Sequence, residues 1–182
     1  MRAVASAVAL TLALATPAFA EPLPPGSLGG FFGGALGTGS DKETLGLGYL
    51  VGVQAAWQPM STEQRANWAL KWSVGWEVMN YLDPTKLGTE LRFLQMNFMP
   101  GIRFRPSESR SLYLTLRAGG TLVRSNQVLP GHDGRAFVGG IASGGLDLYL
   151  GGVLASVDVS YSAIGEGPTM IGLVISLSKT GP

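Results

Sequence analysis

Residues 68–81 read WALKWSVGWEVMNY. Taken two at a time, Trp68, Leu70, Trp72, Val74, Trp76 and Val78 fall on one side of an extended chain. Ala69, Lys71, Ser73, Gly75 and Glu77 fall on the other. Side chains of a strand alternate with period two, so the stretch predicts a strand with one apolar and one polar face. Three tryptophans on the apolar face are unusual for a surface turned to a small soluble core. Tryptophan gathers where hydrocarbon meets water.

The same alternation recurs along the chain and divides residues 28–178 into about eight strands. Residues 45–57 set Leu45, Leu47, Tyr49, Val51, Val53, Ala55 and Trp57 against Gly46, Gly48, Gly52 and Gln54. Residues 90–105 set Leu94, Met96, Phe98, Ile102 and Phe104 against Gln95, Asn97, Arg103 and Arg105, with Pro100 predicting a bulge or a lost ladder bond. Later runs set Leu112, Leu114, Leu116, Ala118 and Leu122 against Tyr113, Thr115, Arg117 and Thr121. They also set Val138, Ala142, Leu146 and Leu148 against Arg135, Ser143, Asp147 and Tyr149. Two final runs set Val153, Val157, Val159 and Tyr161 against Ser156, Asp158 and Ser160, and place Ile171, Leu173, Ile175 and Leu177 on one side. The least regular strand is the glycine-rich first one, residues 28–37. No segment sustains a helical period.

Residues 1–20, MRAVASAVALTLALATPAFA, have the form of a cleaved secretory signal: Arg2, an apolar run, then Ala18-Phe19-Ala20. Residues 21–27 (EPLPPGS) form a proline-rich lead-in, and 28–182 are expected to be one domain. Thirteen basic residues face 12 acidic ones, and losing Arg2 leaves 12 against 12, so charge points to no nucleic-acid partner. Without cysteine there are no disulfides, thiol chemistry or thiolate metal sites. Only 14% of residues are charged, against about 25% in ordinary soluble domains.

Low charge, abundant glycine and alternating strands behind a signal predict a closed antiparallel up-and-down β-barrel of about eight strands, crossing the outer membrane of a Gram-negative bacterium. Strands that span lipid must satisfy every backbone group, which only closure achieves. The apolar faces then point to lipid, with Trp57, Trp68, Trp72, Trp76 and Tyr161 at its interfaces. Lys71, Glu77, Arg103, Arg117, Arg135, Asp147 and Asp158 point inward as a salt-bridge network that fills the lumen. The contrary reading is a carrier of a small hydrophobic ligand, either a membrane barrel open at the rim or between strands or a soluble lipocalin-like barrel. The soluble form would turn a charge-poor, glycine-rich face to water.

On this pattern the chain resembles the small eight-stranded outer-membrane barrel superfamily, which includes the membrane domain of outer membrane protein A. The resemblance implies assembly by the barrel-assembly machinery and contact with outer-membrane lipids and lipopolysaccharide. It also implies possible surface or protein partners at the outer loops. The chain departs from the superfamily's aromatic final residue, ending SLSKTGP with Leu177 last among the apolar side chains.

One constellation could carry chemistry. His132, the single histidine, stands beside Asp133 with Ser125 a few residues earlier, the raw material of acyl transfer in a lipid A-modifying enzyme. The flanking Pro130-Gly131 and Gly134 give the segment a simpler role as a turn, so no catalytic residue is assigned. One histidine and no cysteine assemble no metal site, and no cofactor is expected. The principal expectation is a non-enzymatic barrel with a plugged polar interior.

Overall fold

The computed structural model describes residues 26–39, 45–57, 66–81, 90–106, 111–128, 133–165 and 168–181. They form eight strands: β1 (Gly26–Gly37), β2 (Leu45–Trp57), β3 (Ala66–Tyr81), β4 (Glu90–Phe104), β5 (Leu112–Ser125), β6 (Ala136–Tyr149), β7 (Val153–Ala163) and β8 (Thr169–Thr180). Each pairs antiparallel with its neighbour in sequence, and β1 closes on β8 from Ser27↔Thr180 to Gly37↔Met170. The result is an up-and-down barrel with no free sheet edge. The expected signal and most of the lead-in lie outside the described residues. Gly26 and Ser27 belong to β1 rather than to the lead-in. Neither is proline, so both keep the N–H that lets them pair with Trp57 and Ala56.

Alternation sorts the side chains as period two requires. Leu114, Leu116 and Leu122 of β5 are exposed on the outer wall, while Tyr113, Thr115, Arg117 and Thr121 are buried within. The exterior is apolar on every strand, with Val53, Phe98, Val138, Val159 and Leu173 all more than half exposed. Where β6 meets β7, Gly151 and Gly152 take φ of +52° and +90°. Leu150 and Val153 exchange backbone hydrogen bonds of 2.8 and 3.3 Å across them. That is a two-residue type I′ hairpin, which needs the left-handed region at both positions.

Two readings of the sequence change. Leu45, assigned outward by alternation, is fully buried, because the β2–β3 register shifts between Leu45 and Gly48 and inverts the face at the strand's start. At Pro100 the ladder to β5 is interrupted, but Phe98↔Gly120 and Gly101↔Arg117 keep one register across it. A lost ladder bond, and no bulge, is the consequence of the missing N–H.

Close approach fixes some glycines. A Cβ on Gly119 would lie 1.9 Å from the Phe98 carbonyl oxygen, whereas one on the adjacent Gly120 would meet nothing within 4 Å. Gly119→Ala is therefore expected to cost about 3 kcal/mol or more in barrel stability, and Gly120→Ala well under 1 kcal/mol. Urea unfolding in detergent, followed by circular dichroism, checks the contrast. Equal midpoints would show that the strands do not approach as described.

Candidate functional site

The lumen is stratified. β1, β3, β5 and β7 run toward one end of the barrel, where most inward positions are apolar and Ser125 and Ser162 stand among them. Leu45, Met79, Leu91, Phe93, Val123, Phe137, Ile164 and Met170 pack there as one buried cluster. This apolar cap escapes a reading that assigns polar residues inward throughout. Its signal is a set of apolar doublets at strand ends, such as Val78-Met79, Leu122-Val123 and Phe137-Val138, where strict alternation would alternate polarity.

Below the cap lies an amide and hydroxyl layer. Gln95 Nε2 donates to Asn97 Oδ1 (3.0 Å) and Thr121 Oγ1 (3.3 Å), and Asn97 Nδ2 donates to Ser73 Oγ (3.2 Å). Across the barrel Gln54 Nε2 donates to Ser176 and Ser178 at 2.8 and 3.2 Å. Glu77 is buried in this layer, and no ion pair to it occurs among the described residues. It shares with Lys71, Gln54, Gln95, Asn97 and Asp158 a cavity of ≈ 60 Å³. Phe31, Leu50, Met99, Ile141 and Val174 line it as well, so its wall is mixed, and it has room for a few waters.

Beneath it stands an ion-pair chain. Lys71 Nζ lies 2.7 Å from Asp158 Oδ2, and Arg117 Nη1 lies 2.7 Å from Asp158 Oδ1. Arg117 Nη2 reaches Asp147 Oδ2 at 3.1 Å, and Arg103 Nη2 reaches the same oxygen at 2.7 Å. Lys71 on β3 and Asp158 on β7 are four strands apart in a ring of eight, so this contact crosses the full lumen. Arg103 is finished by two rings: its guanidinium lies 4.7 and 5.0 Å from the centroids of Tyr113 and Tyr149, and its Nη1 donates to Tyr149 Oη at 3.0 Å. All five charged side chains are buried. In a medium of low dielectric such charges persist only with partners, and each carboxylate here bridges two cations.

Of the seven residues expected inside, the structure joins five in this chain and buries Glu77 above it. Arg135 is corrected: it stands opposite Ser125 in the register, its carbonyl accepting from Ser125 N, but it precedes β6 at the barrel's rim and is exposed rather than enclosed in the lumen. Trp57, Trp72 and Tyr161 are about half exposed on the outer wall. Trp68 and Trp76 pair with Ile102 and with Leu94, and their side chains lie outside the described residues. Ser125 is buried, and its hydroxyl donates to the Gln127 carbonyl. Asp133 is exposed, and His132 lies outside the described residues. Among the described residues no His/Cys/Asp/Glu group could hold a metal ion.

A closed eight-stranded antiparallel barrel, apolar outside and charged within, has the fold of the small outer-membrane barrels. Solved structures place the chain beside particular members. It resembles Neisserial surface protein A (TM-score 0.63, 15% identity, 88% of this chain and 100% of that one). It also resembles Ail, the attachment invasion locus protein of Yersinia pestis (0.54, 13%, 88% and 99%). The outer membrane protein OprG of Pseudomonas aeruginosa has the same fold (0.53, 10%, 88% and 98%). No protein-family model and no curated protein matches the chain.

The ion-pair chain predicts a specific loss. Asp158→Asn leaves Lys71 without its carboxylate and Arg117 with one of two, and is expected to cost about 3–5 kcal/mol. Adding Lys71→Met should return part of that loss. Urea titration of the refolded single and double variants measures both. Unchanged stability in Asp158→Asn would mean that these charges are solvated rather than paired.

Proposed function

We propose that the chain is a non-enzymatic barrel of the outer membrane, exported by a cleaved signal, with an interior plugged by its own side chains. The observation carrying this reading is the ion-pair chain from β3 to β7 beneath an apolar cap. Together they occupy two levels of a lumen that an eight-stranded ring leaves only wide enough for side chains.

The outer wall supports the location. The outward positions of β5 from Leu112 to Leu122 carry no charge. Ten steps of about 3.4 Å, tilted about 40°, give an apolar band of roughly 26 Å, close to the roughly 25 Å band of outer-membrane barrels. Trp57 at one end and Tyr161 toward the other supply interfacial aromatics. In this location the barrel-assembly machinery would insert the chain, and outer-membrane lipids with lipopolysaccharide would surround it.

Function then falls to the loops at the capped end, as a structural or surface-interaction role toward proteins or glycans. A fold neighbour supports that class: Ail has been crystallised with the heparin analogue sucrose octasulfate. Against the carrier reading, the lumen cavity is bordered by Lys71, Glu77 and Asp158 rather than by an apolar lining alone. Against acyl transfer, Ser125 is buried and its hydroxyl is committed to a backbone carbonyl.

Two measurements test the proposal. The refolded protein should run as a heat-modifiable band on SDS gels and give no steady conductance in planar bilayers. Sustained single-channel currents would overturn the plug. Expression with His132→Ala should give the same lipid A acyl pattern as the native chain; a difference between them would restore the enzymatic reading.

A further inference from the structure

The ≈ 60 Å³ cavity between the apolar cap and the ion-pair chain has its nitrogen donors committed and some of its oxygen acceptors left over. Gln54 Nε2 donates to Ser176 and Ser178, and Gln95 Nε2 donates to Asn97 and Thr121. Asn97 Nδ2 donates to Ser73, and Lys71 Nζ is held by Asp158, which Arg117 also holds. Among the described residues no other side-chain nitrogen lines the cavity. Gln54 Oε1, in contrast, is buried without a hydrogen-bond partner.

Glu77 stands out further. It is 2% exposed and makes no ion pair or hydrogen bond among the described residues. Its neighbours across the sheet are Leu50 and Phe93, and neither side chain carries a polar group. The excess cation of the ion-pair chain is too far away to serve it. That chain ends on Arg103, which pairs with Asn67, and ten steps of β3 separate Asn67 from Glu77, roughly 34 Å of extended chain. Nearer by, the charge of Lys71 is matched by Asp158. An ionised carboxylate enclosed without a counter-charge is costly.

We propose that the cavity binds a monovalent alkali-metal cation on the Glu77 carboxylate, with a water of the ion's shell donating to Gln54 Oε1. Such an ion brings the missing charge and asks for no donor, which suits a cavity whose nitrogens are committed. One free carboxylate matches one positive charge, since Asp158 is shared by two cations of the protein itself. A divalent ion would leave a charge unmatched, and among the described residues no His/Cys/Asp/Glu group could hold one. A water-sized occupant takes about 10–15 Å³ of such a volume, so an ion and several waters fit.

The test refolds the full-length mature protein in detergent at fixed ionic strength. Sodium or potassium chloride is replaced stepwise by tetramethylammonium chloride, whose methyl groups keep oxygen ligands from its charge. Urea titration of the heat-modifiable band reads the ratio of folded to unfolded chains. With the site near saturation, that ratio should rise about tenfold for each tenfold rise in one of the two alkali ions. E77Q, which keeps the shape and loses the charge, should show no such dependence, whereas K179Q, exposed on the outer wall, should keep it. Crystals of the native barrel refolded in rubidium chloride should carry an anomalous scattering peak in the cavity beside Glu77. If E77Q does not refold, the salt series and the rubidium peak of the native chain decide. Equal ratios in all the salts overturn the site and leave Glu77 to water or a proton. A dependence that survives E77Q, or a rubidium peak only elsewhere, overturns it too. The inference rests on the plugged interior rather than on the membrane location. Sustained currents in planar bilayers defeat the plug, whereas a closed barrel indifferent to these ions defeats this site alone.

Discussion

Closing eight strands into a ring leaves an interior about as wide as the side chains that point into it. Everything else in this molecule answers that constraint. An inward position must hold a group that meets its counterpart across the lumen, and an outward position must tolerate whatever surrounds the wall. Period-two alternation makes the two demands on successive residues. The chain therefore cannot adjust its interior by sliding a strand, since a one-residue slip would exchange the faces. Arg117 would move to the apolar wall and Leu116 into the path between Asp147 and Asp158.

The ion-pair chain follows from that lack of room. Three cations and two carboxylates share the lower lumen, and Glu77, six residues beyond Lys71 on the same face, brings the formal sum of the six to zero. A buried pair of this kind is weak evidence for stability, since its desolvation cost offsets much of its attraction. Its value is in specification. Lys71 meets Asp158 across the barrel, and Arg103 meets Asp147 two strands away, only in one register of all eight strands. The apolar cap, by contrast, has no register to enforce beyond its volume. Its buried Leu, Met and Phe side chains supply the non-directional part of the stability, on the order of 1.5–3 kcal/mol each.

The strand pattern was legible because alternation is a local property that tertiary packing here reinforces. What was not legible lies where alternation stops. Arg135 was misplaced because nothing in AFVGG marks Ala136 as the first residue of β6. Leu45 was misplaced because a register shift inverts a face without changing composition. The cap went unseen because its residues look like continuations of the apolar wall. Only the doublets betray them: Val78-Met79, Phe93-Leu94 and Met170-Ile171 all fall at the same end of their strands, which emerges once β3 is read upward and β4 and β8 downward. The ion-pair partners were nameable as a set, but their pairing needed the three-dimensional order of the strands.

Arginine shows how far position outweighs residue type. Arg103 and Arg117 occupy inward positions in mid-strand, where a carboxylate must meet each of them, and Asp147 meets both. Arg92 and Arg124 occupy outward positions, and they stand only where the uncharged run of their strand has ended. A guanidinium in the middle of that run would face the apolar surroundings without a partner, at a cost of roughly 2–4 kcal/mol if those surroundings are lipid. The absence of any charge from the outward positions between Leu94 and Phe104, and between Leu112 and Leu122, is thus a physical boundary drawn by the chain itself. The interior arginines bind the barrel together, and the rim arginines mark the depth at which its apolar surroundings give way to charge.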